Sequence, residues 1–138
     1  MGVAKRLKET NKFIQIIALE PENMTLLSTP KKIGKHQIAG IGDDFLPDLV
    51  DTALINNHIT ISDEDAINMT RRLSRELGLG VGLSSGANFL ASAIQPYENI
   101  VTIFADDNKK YLSTNLDNIN NNKDYLSNQI EFISIESI

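Results

Sequence analysis

Residues 61–88 read ISDEDAINMTRRLSRELGLGVGLSSGAN, and this stretch decides the fold. Its first half predicts a helix over residues 63–77. Ser62 is suited to cap the free amides of the first turn, and the three acidic residues after it favour the positive end of the helix dipole. Apolar residues then recur at helical spacing, and Gly78 supplies the left-handed residue that commonly ends a helix.

The second half of the stretch predicts a strand, a turn and another helix. Residues 79–83 form a short apolar strand interrupted by glycine, and residues 84–87 (SSGA) form the turn. The helix is predicted over residues 88–95 (NFLASAIQ), where Pro96 stops it. Such a turn exposes hydroxyls and amides at the carboxyl edge of a parallel sheet, where ligands gather in open α/β folds.

Short apolar segments surround this unit along the chain. Strands are predicted at residues 13–19 (FIQIIAL), 59–61, 99–105 (NIVTIFA) and 130–135 (IEFISI), and helices at residues 3–11 and, from Pro47, within residues 45–55. The strands at 13–19 and 99–105 are apolar throughout, so we expect them to be buried, whereas 130–135 alternates like a half-buried strand. Helices and strands that alternate in this way predict an α/β fold, with three α/β/α layers and a mostly parallel sheet.

Composition excludes several classes of protein. The 138 residues carry a net charge of −5, so no basic excess exists to neutralise a nucleic-acid backbone. Cysteine is absent, which removes disulfides, thiolate metal sites and a cysteine nucleophile. No apolar run approaches the length of about 20 residues that crosses a bilayer, and residues 1–11 are too polar for a signal peptide. We therefore expect a soluble, cytoplasmic protein that binds neither nucleic acid nor membrane.

Two glycine-containing stretches suggest contact with a ligand. Residues 78–87 (GLGVGLSSGA) lack the Gly-Lys-Ser/Thr of a phosphate-binding P-loop, and Leu83 stands where a dinucleotide fingerprint needs its third glycine. From the pattern alone, the plainer explanation of this stretch is that Ser84 or Ser85 caps a helix. Residues 40–44 (GIGDD) allow close backbone approach to a ligand, but a flexible turn is the plainer alternative.

The acidic and histidine residues predict no metal site. Asp43 and Asp44 are a candidate carboxylate pair, but neither a histidine nor a third carboxylate lies at ligand spacing. His36 and His58 fall in different segments, and we expect each at the surface or at a strand end. The acidic pair at residues 106–107, with two lysines after it, favours a solvated turn.

Four stretches, taken in order, resemble the C-terminal part of cysteine synthase, a pyridoxal-phosphate enzyme of fold type II. They are IIALEP, HQIAGIGDDFLPDLVD, ISDEDAINMTRRLSRELGLGVGLSSGAN and NIVTIFADDNKKYLST, and the likeness covers about residues 1–116. The resemblance implies a parent reaction in which sulfide replaces the acetate of O-acetylserine through an aminoacrylate, giving cysteine. It also implies that residues 1–116 belong to the large domain, followed by a tail at 117–138 with an edge strand.

The resemblance assigns roles to six residues. Ser84 matches the family serine that hydrogen-bonds the pyridine nitrogen of pyridoxal phosphate. A neutral hydroxyl there leaves the nitrogen largely unprotonated, which moderates the electron sink and suits β-replacement. Asp106 and Tyr111 match the segment beside the cofactor ring. Gly40, Ile41 and Gly42 match the loop that closes over the amino-acid substrate and excludes water.

Departures from the family pattern accompany this likeness. Ala39 stands where glutamine usually precedes the glycine-isoleucine-glycine segment, and Ala105 and Asn108 stand where proline and glycine are common. The family's Schiff-base lysine and phosphate loop match nothing in this sequence. None of the nine lysines lies in an apolar context that would lower its pKa for such a role. We therefore expect a C-terminal fragment that contains no catalytic residue, is inactive alone and binds pyridoxal phosphate poorly if at all.

Two rival functions follow from the same residues. One is a β-replacement like that of cystathionine β-synthase, with homocysteine as the acceptor. The other is a non-catalytic module that self-associates. Apolar strands that lack neighbours recruit other chains, so we expect a dimer or a larger homo-oligomer. The resemblance also names serine acetyltransferase as a partner of the parent enzyme.

Overall fold

The computed structural model describes residues 1–111, 113 and 125–136, and three α-helices lie within them. They are α1 (Gly2–Thr10), α2 (Asp63–Leu77) and α3 (Leu83–Ala93). The predicted ends of α2 are confirmed. The Ser62 side chain accepts a hydrogen bond from the Asp65 amide at 3.1 Å, and Gly78 ends the helix at φ 71°.

The strands form two small sheets. Strand β1 (Ile17–Pro21) pairs in parallel with β4 (Asn57–Ile61), with Leu19 opposite Ile59. Strand β2 (Met24–Thr25) pairs antiparallel with β3 (Lys32–Ile33). Parallel pairing across a long connection, with helices packed against the sheet, confirms the predicted α/β class.

The core lies where α2 and α3 pack together against β4. Its fully buried side chains come from all three elements and from the loop before β4, and include Ile38, Ile61, Met69, Leu73 and Leu90. Burial of large aliphatic side chains of this kind contributes about 1.5–3 kcal/mol each. This core fixes the two helices that carry the serine-rich turn and its support.

Three predicted strands differ from the structure. Strand β1 starts only at Ile17, its apolar residues are half-buried, and Phe13 is 76% exposed. Residues 99–105 form no strand and are exposed, with Val101 at 90%. Residues 130–135 also form no strand, although Phe132 packs against the core. In each case burial on both faces needs neighbouring strands, and the described residues supply only one, β4 against β1.

Two element boundaries also differ. The predicted strand at residues 79–83 reduces to a single antiparallel bridge between Val81 and Asp107. The helix predicted from residue 88 begins at Leu83, so both serines lie inside α3 rather than in a turn before it. Residues 45–55 contain only a 3-10 turn, Thr52–Leu54. Residues 114–124 lie outside the described part of the chain, so the division into residues 1–116 and 117–138 stays a prediction.

Candidate functional site

The serine-rich helix α3 begins at Gly82, not at a serine. Gly82 has an extended conformation, and its carbonyl oxygen accepts hydrogen bonds from the amides of Ser85 at 3.1 Å and Gly86 at 3.2 Å. No side chain caps this end of the helix. The interpretation of Ser84 or Ser85 as a capping residue is therefore wrong, and their hydroxyls remain for another role.

Both serine hydroxyls lie in the first turn of α3 and are nearly or fully buried. Ser84 is 8% exposed. Ser85 is fully buried, and its hydroxyl has no hydrogen-bond partner among the described residues. A buried hydroxyl without a partner is uncommon, because its desolvation is then uncompensated. The turn therefore offers two hydroxyls, of which the resemblance predicted a role for Ser84 alone.

Asp106 joins this turn from the other side. Its carbonyl oxygen accepts the Gly82 amide at 3.0 Å, and a Cβ added to Gly82 would lie 2.0 Å from Asp106 Oδ1. Tyr111 donates its hydroxyl to Asp106 Oδ2 at 3.0 Å, and Lys110 Nζ lies 3.6 Å from the same oxygen. The carboxylate therefore lies beside the start of α3 and is held there, rather than being part of a fully solvated turn.

The environment of Tyr111 favours its neutral form. Burial raises the pKa of the Tyr111 phenol, and the hydrogen bond to the Asp106 carboxylate and its negative charge raise that pKa further. Tyr111 is buried, while Asp106 keeps a minority of its side chain exposed. The structure thus brings all three predicted cofactor-binding residues, Ser84, Asp106 and Tyr111, to the beginning of α3.

The predicted substrate loop lies near the carboxyl end of β1. Gly40 and Gly42 both have positive φ values, 88° and 71°, which glycine adopts without strain. Gly40 faces open space, whereas a Cβ on Gly42 would lie 2.6 Å from Pro21. Ile41 is half-buried and packs against the same core as α3. The loop is therefore free at its first glycine and fixed at its third residue.

His36 fixes that third residue, a role that the sequence did not indicate. Its Nε2 donates to the carbonyl oxygen of Gly42 at 2.9 Å, and its Nδ1 is buried without a partner among the described residues. The expectation of a surface or strand-end residue is therefore wrong for His36, which is half-buried. His58 lies exposed within β4, and Asp43 and Asp44 are exposed.

Glu20, near the end of β1, anchors the backbone of residues 26–28. Its buried carboxylate accepts the backbone amides of Leu26 at 2.6 Å, Leu27 at 2.7 Å and Ser28 at 2.9 Å, and the Ser28 hydroxyl at 2.5 Å. Burial by itself raises the pKa of Glu20, but these hydrogen bonds outweigh it and hold the pKa below its usual value. The sequence does not indicate this role of Glu20, because a glutamate at the end of a strand is common and does not reveal its hydrogen-bond partners.

Comparison with known proteins places these features in a family. The family described as "Pyridoxal-phosphate dependent enzyme" matches residues 1–106. Cysteine synthase B of Campylobacter jejuni is 41% identical over 119 residues, which cover 83% of this chain and 39% of that protein.

None of the helices within the described ranges has the length and hydropathy to span a bilayer.

Solved structures agree with this match. A hydrogen sulfide-producing enzyme from Fusobacterium nucleatum superposes with a TM-score of 0.88 and is 44% identical, over 99% of this chain and 42% of that one. An O-acetylserine-dependent cystathionine β-synthase from Helicobacter pylori superposes with a TM-score of 0.70 and is 38% identical, over 82% of this chain and 38% of that one. The chain thus spans about two fifths of the length of the relatives it matches. It belongs to the pyridoxal-phosphate-dependent enzyme family, and its relatives are the cysteine synthases of fold type II.

Proposed function

We propose that this chain supplies the part of a cysteine synthase pocket that contacts the cofactor ring and closes over the amino-acid substrate. The proposed parent reaction replaces the acetate of O-acetylserine with sulfide. The observation that carries the proposal is the Ser84 hydroxyl, which is nearly buried in the first turn of α3, next to the Ser85 hydroxyl that has no partner among the described residues. That hydroxyl suits a neutral ring nitrogen, which needs one hydrogen-bond donor and carries no charge.

When bound, pyridoxal phosphate supplies the electron sink for β-replacement. In the proposal the Ser84 hydroxyl donates to the ring nitrogen and leaves it uncharged. Asp106 and Tyr111 fix the position of the first turn of α3 through Gly82. Residues 40–42 form the loop that covers the substrate and excludes water, in which Gly40 is free to move and Gly42 is the fixed end because His36 and Pro21 hold it.

The lysines support the further proposal that the chain alone does not catalyse the reaction. A Schiff-base lysine needs a desolvated position that lowers its pKa. Of the eight lysines within residues 1–111, seven are exposed. The eighth, Lys8, donates a hydrogen bond from Nζ to Asn56 Oδ1 at 2.6 Å. None is buried near Ser84 in the way that covalent capture of the aldehyde requires.

A titration with pyridoxal phosphate tests the ring contact. We expect weak, saturable, non-covalent binding to the 138-residue chain, since the phosphate loop and the Schiff-base lysine match nothing in it, and we follow it through the visible absorbance of the cofactor. S84A removes the hydroxyl and weakens this binding about fivefold to tenfold, the size of one hydrogen bond. The matched control is S92A, which removes a hydroxyl from the distal half of α3, where Ser92 Oγ donates to Asn88 O at 2.8 Å. Equal affinity of S84A and the unmodified chain would overturn the proposal.

Borohydride reduction and a turnover assay test the missing lysine. We expect that reduction fixes no single stoichiometric pyridoxyl group to the chain, as read by intact mass, and that the chain with pyridoxal phosphate does not consume O-acetylserine. One pyridoxyl group per chain, mapped to one lysine and accompanied by turnover, contradicts the proposed inactivity.

Two further functions have support. The likeness to the cystathionine β-synthase of Helicobacter pylori favours homocysteine as an alternative acceptor, and competition between sulfide and homocysteine on a complete enzyme separates the two. Exposed apolar side chains at Val101, Ile103 and Ile133 favour self-association. Serine acetyltransferase as a partner stays a prediction from the family resemblance.

A further inference from the structure

Thr70 is a buried hydroxyl at the contact between α2 and α3. It is 1% exposed, and its Oγ1 donates to the carbonyl oxygen of Ala66 at 2.8 Å in its own helix. The same Oγ1 lies 3.4 Å from the carbonyl oxygen of Gly82, the residue at which α3 begins. One polar atom of α2 therefore reaches the first backbone carbonyl of α3.

Gly86 brings the two helices close enough for this contact. A Cβ added to Gly86 would lie 2.1 Å from Thr70 Oγ1 and 2.6 Å from the backbone oxygen of Ala66. The Thr70 hydroxyl consequently occupies the space where any other residue at position 86 would place its side chain. Gly86 also donates its amide to Gly82 O at 3.2 Å, so Thr70 lies beside the first hydrogen bonds of α3.

Gly82 is held from two sides as a result. Its amide donates to Asp106 O at 3.0 Å, and its carbonyl oxygen faces Thr70 while accepting the amides of Ser85 and Gly86. Ser84 lies between these bonded residues, two positions after Gly82. The direction of the first turn, and of the Ser84 hydroxyl with it, depends on where the Gly82 carbonyl points.

We propose that Thr70 is a positioning residue: its hydroxyl, seated against Gly86 and beside Gly82 O, sets the first turn of α3 and thereby the orientation of Ser84. The effect of Thr70 on cofactor binding rests on the proposed function, since the orientation of Ser84 matters only if the first turn of α3 receives the pyridine ring. The effect of Thr70 on the position of that turn does not depend on the proposed function. The rival explanation is that Thr70 only fills space, in which case valine, which puts a methyl group in place of the hydroxyl, has no effect confined to the first turn of α3 and at most lowers the stability of both helices together.

Hydrogen exchange separates positioning from space filling. The variants are T70V, which keeps the shape and loses the hydroxyl, and T70S, which keeps the hydroxyl and loses a methyl group. We expect the amides of Ser85 and Gly86 to exchange about fivefold to tenfold faster in T70V, with those of the last turn of α3 unchanged, and T70S to restore slow exchange. The matched control is S92A, in which any acceleration is confined to the distal half of α3.

Two exchange results would overturn the inference. One is unchanged exchange at Ser85 and Gly86 in T70V. The other is equal acceleration at every amide of α2 and α3, which marks a general loss of stability. If T70V does not fold, as read by circular dichroism, T70A takes its place, because the smaller side chain introduces no new contact with Gly86.

Binding of pyridoxal phosphate tests the consequence for Ser84. We expect T70V to weaken binding by about the same factor as S84A, T70S to bind within twofold of the unmodified chain, and the double variant T70V/S84A to bind no more weakly than S84A. Normal binding by T70V beside weak binding by S84A overturns the positioning of Ser84. Normal binding by S84A overturns the proposed function instead, and the exchange results still decide whether Thr70 fixes the start of α3.

Discussion

The amide nitrogen of Gly82 donates to the carbonyl oxygen of Asp106 over 3.0 Å, and the two residues leave no room for a side chain on Gly82. A Cβ there would lie 2.0 Å from Asp106 Oδ1. Since Tyr111 holds the other carboxylate oxygen, the Asp106 side chain is not free to rotate away without losing that bond. The start of α3 is thus fixed by a contact with a residue 24 positions later in the chain.

Replacement of Gly82 by alanine tests this contact. We expect G82A to lower the free energy of unfolding by about 1–3 kcal/mol, because the added methyl group forces Asp106 away from Tyr111. Urea denaturation measures the loss. The control is G80A, whose Cβ would lie 3.2 Å from Asn108 Oδ1 and requires only a small shift. When G82A is combined with D106A, the further loss of stability caused by G82A should be much smaller than in the unmodified chain. An equal loss of stability in both backgrounds would show that the close contact with Asp106 is not the cause.

The titration of Tyr111 tests its bond to Asp106. Burial first, and then the Asp106 carboxylate, raise the pKa of the Tyr111 phenol, so D106N should lower that pKa towards its usual value. Ultraviolet absorbance of the phenolate, recorded in a Y97F/Y125F background that leaves Tyr111 as the only tyrosine, measures the change. The neighbouring variant D107N is the control, and an identical titration of D106N and the parent contradicts the assignment.

The acid stability of the chain should depend on Glu20. Burial raises the pKa of Glu20, but the amide and hydroxyl hydrogen bonds from residues 26–28 outweigh it, so the folded-state pKa lies below the unfolded value. This stabilisation is fully present above the unfolded pKa of about 4.3 and is lost as the pH falls through the folded-state pKa.

Replacement of Glu20 by glutamine therefore has an effect that depends on pH. At neutral pH we expect E20Q to lower the free energy of unfolding by about 2 kcal/mol, since a neutral amide is a weaker acceptor for these donors. Below the folded-state pKa the difference from the unmodified chain should vanish. E22Q changes an exposed neighbour and should have little effect at any pH. A loss in E20Q that is constant with pH would exclude the buried carboxylate as its source.

Self-association should depend on the extended apolar segment at residues 100–104. Val101 is 90% and Ile103 58% exposed, and no strand among the described residues pairs with this segment. We expect light scattering at micromolar concentration to show a dimer or a larger species, and V101D/I103D to shift it towards the monomer. The control Q129D places a charge at an exposed site outside the segment. A monomer in the unmodified chain would contradict the expectation.

Local signals made part of the structure predictable. Helix α2 begins after Ser62 and ends at Gly78, as its cap and its glycine predict, because both ends depend on hydrogen bonds within a few residues. The parallel pairing of β1 with β4 follows from alternating elements. The resemblance carried by GLSSGA and GIGDDFLP predicted the family that the comparisons show.

Tertiary contacts decided what remained. Helix α3 starts five residues before the predicted point because Asp106 and Thr70 contact Gly82 from outside the helix, and no signal at residues 82–88 reports those two partners. The segment at 99–105 is apolar but exposed, because hydrophobicity specifies that a strand prefers burial and only a neighbouring strand provides it. Residue types and their spacing thus determined the class of fold, and the resemblance of the quoted stretches to known enzymes indicated the family. The positions of Ser84 and of the Gly42 loop were determined by contacts between residues far apart in the chain.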